Sequence, residues 1–192
     1  MRIGYVATLL VAMALLCTVA GAVTNSSEVA AMDKKLRHIE SNGALAHPDP
    51  TPTELTEDEV NAYFASGNME LPAGVRSVKF QGNDGTVIAT TQVDFDRLKG
   101  NTGSSNLLLS IFSGIHVVTV NAHAHGSGGE GFVQIDSVAL DGTEIPRFVL
   151  QLFVDKYIQP KYPDLGLDSQ FKLPNRISTA TVGVHRLIIV QK

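Results

Sequence analysis

The sequence predicts an α+β domain in which a curved antiparallel β-sheet wraps around a long apolar helix, with a short N-terminal helix ahead of it. Three observations carry that expectation. Much of the chain from Leu71 onward alternates apolar and polar residues with a period of two, the pattern of strands buried on one face. The stretch "PRFVLQLFVDKYIQP" at 146–160 instead fits a helix, on which Phe148, Val149, Leu150, Leu152, Phe153, Val154, Tyr157 and Ile158 leave only a narrow polar stripe through Arg147, Gln151, Asp155 and Gln159. A helix apolar nearly all round has to be enclosed on several sides, and a curved sheet is the simplest enclosure. Finally, the 192 residues include one cysteine, Cys17, so burial rather than a disulfide must hold the fold. A chain of this size can hide about two-thirds of the surface that its unfolded form exposes, enough for one domain with a core.

The opening "MRIGYVATLLVAMALLCTVAGAV" carries Arg2, a long apolar run and the small-x-small sequence Ala20-Gly21-Ala22. This is the profile of a secretory signal peptide over residues 1–22, and it predicts export. Leu16 ahead of Cys17 is too bulky for a usual lipoprotein cleavage site, which argues against a lipid anchor. The run is also long enough to span a bilayer, so an uncleaved anchor stays open. Removal of the segment takes Arg2 with it and moves the formal net charge from -4 to about -5. Mild acidity without a basic block argues against a nucleic-acid partner, because such binding is dominated by phosphate neutralisation.

Residues 23–53 read as an N-terminal helix and a proline-rich linker. Val29, Met32, Leu36 and Ile39 fall at helical spacing and Gly43 is the stop. Such a helix packs on the domain, stays loose in solvent or lies on a membrane surface. "HPDPTPT" follows as an extended linker, which places the start of the folded domain, 54–192, near Glu54. In "LTEDEVNAYF", Thr56 and Glu59 form a capping box and Leu55 can pack on Val60, so a short helix begins here and stops at Gly67.

"VRSVKF", the turn "QGNDG" and "TVIATTQVDF" then predict a hairpin, with Val87, Ala89, Thr91, Val93 and Phe95 on one face. "KGNTGSSN" is a flexible loop. "LLLSIFSG" at 107–114 reads as a helical turn or a strand, and as an entrance flap or plain core. In "IHVVTVNAHAH" the apolar Val118, Val120, Ala122 and Ala124 share a face opposite Thr119, Asn121, His123 and His125, and "GFVQIDSVAL" returns as the next strand.

The loop between these two strands, "HGSGGEG", matches G-x-G-x-x-G at Gly126, Gly128 and Gly131. A dinucleotide loop must lead from a strand into a helix whose N-terminus holds the pyrophosphate, and this one joins strand to strand. A hairpin tip is the reading that fits. His123 and His125 on one strand face, with Glu130 across the turn, are weak candidates for zinc ligands, but a structural site needs a fourth donor, and solvent-facing polar residues account for them equally well. No metal and no cofactor is expected.

At the C-terminal end, "LPNRISTATVGVHRLIIVQK" repeats the outline of "LPAGVRSVKFQGNDGTVIA", helix, Leu-Pro, then strand, which suggests a duplicated element. Catalysis is not expected. The chain has no G-x-S-x-G elbow and no H-E-x-x-H, and Ser127, His125 and Asp136 lie too close in sequence to meet as a triad.

"LTEDEVNAYF" before "LPAGV", the central hairpin, "ALDGTEIPRFVLQLFVDKYI" and a last "FKLPNRI" strand together resemble the LmeA-like phospholipid-binding proteins, exported relatives in spirit of the tubular lipid-binding domains, over about residues 54–191. The resemblance implies a secreted or periplasmic protein with a curved sheet around a long helix and a lipid in an apolar cleft. It assigns no ligand-contacting residue, and this chain departs from it in its shortness and in the polar loop at 99–106.

The apolar helix facing one apolar side of a sheet leads to the same class of function, since a gap of a few hundred Å³ lined in this way is a lipid site. Its expected walls are Phe148, Leu152, Phe153 and Tyr157 on the helix with Val118, Val120 and Phe132 on strands; ordinary core packing is the competing account of each. The expectation is an exported protein that binds a lipid or other apolar small molecule without catalysis, with transient membrane contact. The alternative is a structural or adaptor domain of the cell envelope, with a filled core and a protein partner.

Overall fold

The structure, a computed structural model, describes residues 26–69, 71–76, 78–99 and 110–192. The expected signal segment 1–22, the polar loop beyond Lys99 and residues 107–109 of the expected flap lie outside the described residues. The fold is α+β, with few helices and one large antiparallel sheet of nine described strands. No helix among the described residues is long and apolar enough to cross a membrane.

Helix α1, Ser26–Gly43, is not loose in solvent: Met32 and Ile39 are fully buried, with Val29 and Leu36 packed beside them. Its C-terminal turn is held by a buried polar knot. Asn42 donates to the Gln191 side chain and to the Asp49 carbonyl, and Gln191 donates to the carbonyls of Ile39 and Asn175. Every arm of both amides is engaged across elements far apart in sequence, which is what makes burial of two such groups tolerable. The linker is therefore short and clasped, and the chain enters the sheet at β1, Thr53–Thr56, paired with β9, Arg186–Gln191.

Helix α2, Glu57–Ala65, starts with the expected capping box between Thr56 and Glu59. Burial works against the Glu59 charge, but the Lys35 ammonium at 2.6 Å and the Thr56 amide outweigh it and hold this carboxyl below its ordinary range. The β2–β3 hairpin, Lys79–Asn83 and Thr86–Asp94, turns at Gly85, whose φ of +67° suits glycine. Val87, Ala89, Thr91, Val93 and Phe95 are all buried, the face that the alternation predicts. A short helix α3, Phe95–Lys99, follows.

Strands β4, Ile115–Ser127, and β5, Glu130–Leu140, form the longest hairpin, closed by Gly128 and Gly129, both at positive φ. This is the two-residue turn whose twist matches paired strands. A bulge between Asn121 and Ala122 leaves Asp136 unmatched, so the inward positions of β5 shift from Val133 and Ile135 to Val138 and Leu140. One edge of β4 pairs with β3 and then, at His125 and Gly126, with β8, Ile177–Gly183; the other edge pairs with β5. Two short strands, β6, Thr143–Glu144, and β7, Asp168–Lys172, line the far side of β5.

The helix expected over 146–160 is shorter and less regular. Pro146 caps α4, Arg147–Phe153, which continues as a π-helical segment, Val154–Ile158. It is also not enclosed all round. Val149, Leu150, Phe153, Tyr157 and Ile158 are buried, whereas Phe148 is 60% exposed and Leu152, one turn on, is 36% exposed.

Candidate functional site

A cavity of about 110 Å³ lies between the inner face of the sheet and the α4 segment. The sheet contributes Val87 and Ala89 from β3, Val118, Val120 and Ala122 from β4, and Val133, Ile135, Val138 and Leu140 from β5. Alternation puts these side chains on one face, and the β5 bulge keeps that face continuous on both sides of Asp136. The opposite wall is Leu150, Phe153, Val154 and Ile158, with 165–167 at the edge. Phe95, Leu98 and Phe112 complete it. The space is smaller than the few hundred Å³ expected because aromatic rings occupy one end: Phe112 and Phe153 meet with centroids 4.4 Å apart, and Phe95 stands edge-on to Phe153 at 5.6 Å.

Among the described residues the walls are buried except along one edge. Ile135, Val154, Leu165 and Gly166 are half-exposed, and they mark where solvent reaches the cavity. That edge is pinned by the Ile135 amide, which donates to the Leu167 carbonyl at 2.7 Å. Arg147 stands over it, donating to the Ile135 carbonyl at 2.8 Å and to the Asp168 carboxylate at 2.6 Å.

Of the expected wall residues, Val118, Val120 and Phe153 line the cavity and the other four do not. Phe132 points to the other side of the sheet, because even positions before the β5 bulge face outward; there it stacks on His125, with centroids 4.9 Å apart, in a polar groove. Phe148 and Leu152 lie on the solvent-reached side of α4. Tyr157 is buried against Phe153 at 5.2 Å but off the cavity wall, and its hydroxyl has no hydrogen-bond partner among the described residues. Among the lining residues that sequence reasoning did not name as walls, Ala122, Val133, Ile135, Val138 and Leu140 follow from the same alternation once the bulge is known.

His123, His125 and Glu130 do not converge. His123 pairs with Asp136 at 2.7 Å, His125 stacks on Phe132, and Glu130 accepts from Gln170. Among the described residues no group of three histidine, cysteine, aspartate or glutamate side chains could hold a metal. The imidazole partner of Asp136 is thus His123, and Ser127, His125 and Asp136 form no triad. The glycines of this hairpin answer a packing need: a Cβ on Gly131 would meet the Phe171 ring at 2.6 Å, and one on Gly126 would meet Ala180 and Leu173 at 2.8 Å.

His116 ties the segment carrying Phe112 to the sheet. Its Nδ1 lies 2.6 Å from the Asp141 carboxylate and its Nε2 2.8 Å from the Ser113 carbonyl. Both partners only accept, so both ring nitrogens must carry protons to make the two bonds. The Asp141 hydrogen bond is the main cause of a raised His116 pKa, and it lowers that of Asp141 in return.

Compared with models of known protein families, with curated proteins and with solved structures, the chain matches none.

Proposed function

We propose that this chain is an exported carrier that holds a lipid, or another apolar molecule, between the sheet and α4, with the sheet curving about that helix and no catalysis at the site. The observation that carries the reading is a cavity lined by apolar side chains and Gly166, whose walls, among the described residues, reach solvent along one edge. An alkyl chain moved from water into such a space gains about 0.8 kcal/mol per methylene. At about 110 Å³ the space is smaller than the roughly 150 Å³ cavity that takes a benzene molecule. It therefore receives one segment of a chain as it stands, and more as the walls yield. Arg147 at the open edge is placed to meet an anionic headgroup, exchanging Asp168 for it. The resemblance to the LmeA-like phospholipid-binding proteins supports the same class of ligand.

The test is titration of the purified protein with a fluorescent fatty acid. Saturable uptake by one site, reversed by unlabelled palmitate, is the expected result, and no uptake refutes the reading. The exposed Phe148 and Leu152 on α4 favour a second reading, a cell-envelope adaptor whose partner covers this helix. In the carrier reading the same two side chains make the transient membrane contact through which ligand is exchanged. Binding of lipid vesicles that is lost in Phe148→Ser separates the two.

A further inference from the structure

A second apolar crevice of about 60 Å³ lies further along the sheet, walled by Leu55, Val60, Phe80, Val182 and Leu187. It and the main cavity have one described lining residue in common, Val87, which is buried near the start of β3. The sheet register gives this position its meaning. Ile135, at the open edge of the main cavity, pairs with Ala122, and Ala122 pairs with Val87. Val87 in turn pairs with Gly82, which lines the second crevice. Ile135, Ala122, Val87 and Gly82 thus form a row running across four strands. Two strand spacings, about 10 Å, separate the open edge from Val87.

We propose that Val87 is the stop that sets the length of ligand this site accepts. This rests on the carrier reading above and adds its specificity: an unbranched acyl chain that enters at Ile135, crosses over Ala122 and ends against Val87. Without the Val87 side chain the two spaces would join, and a longer chain would pass on toward Leu187. Gly82 is itself closely covered, since a Cβ there would meet the Gly183 carbonyl at 3.0 Å, so the way on from Val87 leads along the apolar wall of Val182 and Leu187.

The experiment is competition against a fluorescent fatty acid by a series of saturated acids of increasing length. In the wild-type protein, affinity should rise roughly fourfold per added methylene and then level off where the chain reaches Val87. Val87→Ala should move that plateau to longer acids, and a cooperative thermal melt with a wild-type circular dichroism spectrum shows that the variant is folded. Leu187→Phe, which fills only the second crevice, should leave the wild-type profile as it is and, added to Val87→Ala, bring the plateau back. A plateau unmoved by Val87→Ala, or shortened by Leu187→Phe alone, overturns the stop. So does a wild-type profile that never levels off. A wild-type protein that takes up no acid of any length sinks the carrier reading itself, and the stop with it.

Discussion

Ala122→Leu tests whether the cavity is real space and whether it is the binding space. Ala122 is 4% exposed, lines the cavity, and lies between Val87 and Ile135 in the register. Empty volume of this kind costs about 24 cal/mol per Å³, so the 110 Å³ is worth at most about 2.6 kcal/mol. Leucine adds three carbons, a gain of about 2.4 kcal/mol on burial, from which about 1 to 3 kcal/mol is lost if the side chain cannot settle into a relaxed rotamer. The expected net effect on the ligand-free protein is a stabilisation of about 1 kcal/mol, a rise in Tm of roughly 2–4 °C. Displacing the equivalent of three methylenes should weaken fatty-acid binding roughly fifty-fold. Thermal melts of delipidated protein and fluorescent-acid titration read the two quantities. A loss of stability beyond about 2 kcal/mol would show that the space is not there. Unchanged binding alongside increased stability would place the ligand elsewhere.

Tyr157→Phe removes a buried hydroxyl that has no partner among the described residues, so it should stabilise the protein by about 1 kcal/mol; a lower Tm would mean that the hydroxyl is satisfied. His116 gives a pH dependence of definite sign. Its folded pKa is raised, so the stability it contributes is fully present below about pH 6.5 and is lost as pH rises through the folded value. Asp94, Asp96 and Arg76 lie on the neighbouring elements, and Asp141 is its direct partner. Tm should therefore fall over this range in the wild type and less so in His116→Gln; parallel profiles would remove the role assigned to the doubly bonded imidazole.

Local signals of one kind were fully legible in the sequence. Thr56 and Glu59 announced their capping box, and the alternation through Val87–Phe95 and Val118–Ala124 gave the buried faces, because one face of a sheet buries every second residue. Gly126, Gly128 and Gly131 were legible as a hairpin tip from context alone. What the sequence did not reveal depends on neighbours distant along the chain. The bulge beside Ala122 decides that Phe132 faces out while Val138 and Leu140 face in, and nothing in "GFVQIDSVAL" marks it. Phe148 and Leu152 are as apolar as Phe153, and only the position of the sheet decides which face of the helix is covered. Strands β1 and β7 were missed because each is short and gains its place by pairing, β1 with β9 and β7 with β5. The docking of α1 rests on Asn42 and Gln191, 149 positions apart, whose partnership no local pattern encodes.

The most direct test of the account is native mass spectrometry of the protein purified from its own cells without detergent. The account predicts a species heavier than the bare chain by the mass of about one apolar molecule, released into organic solvent and depleted in Ala122→Leu. A bare-chain mass in the wild type, together with no uptake of added lipid, would contradict it.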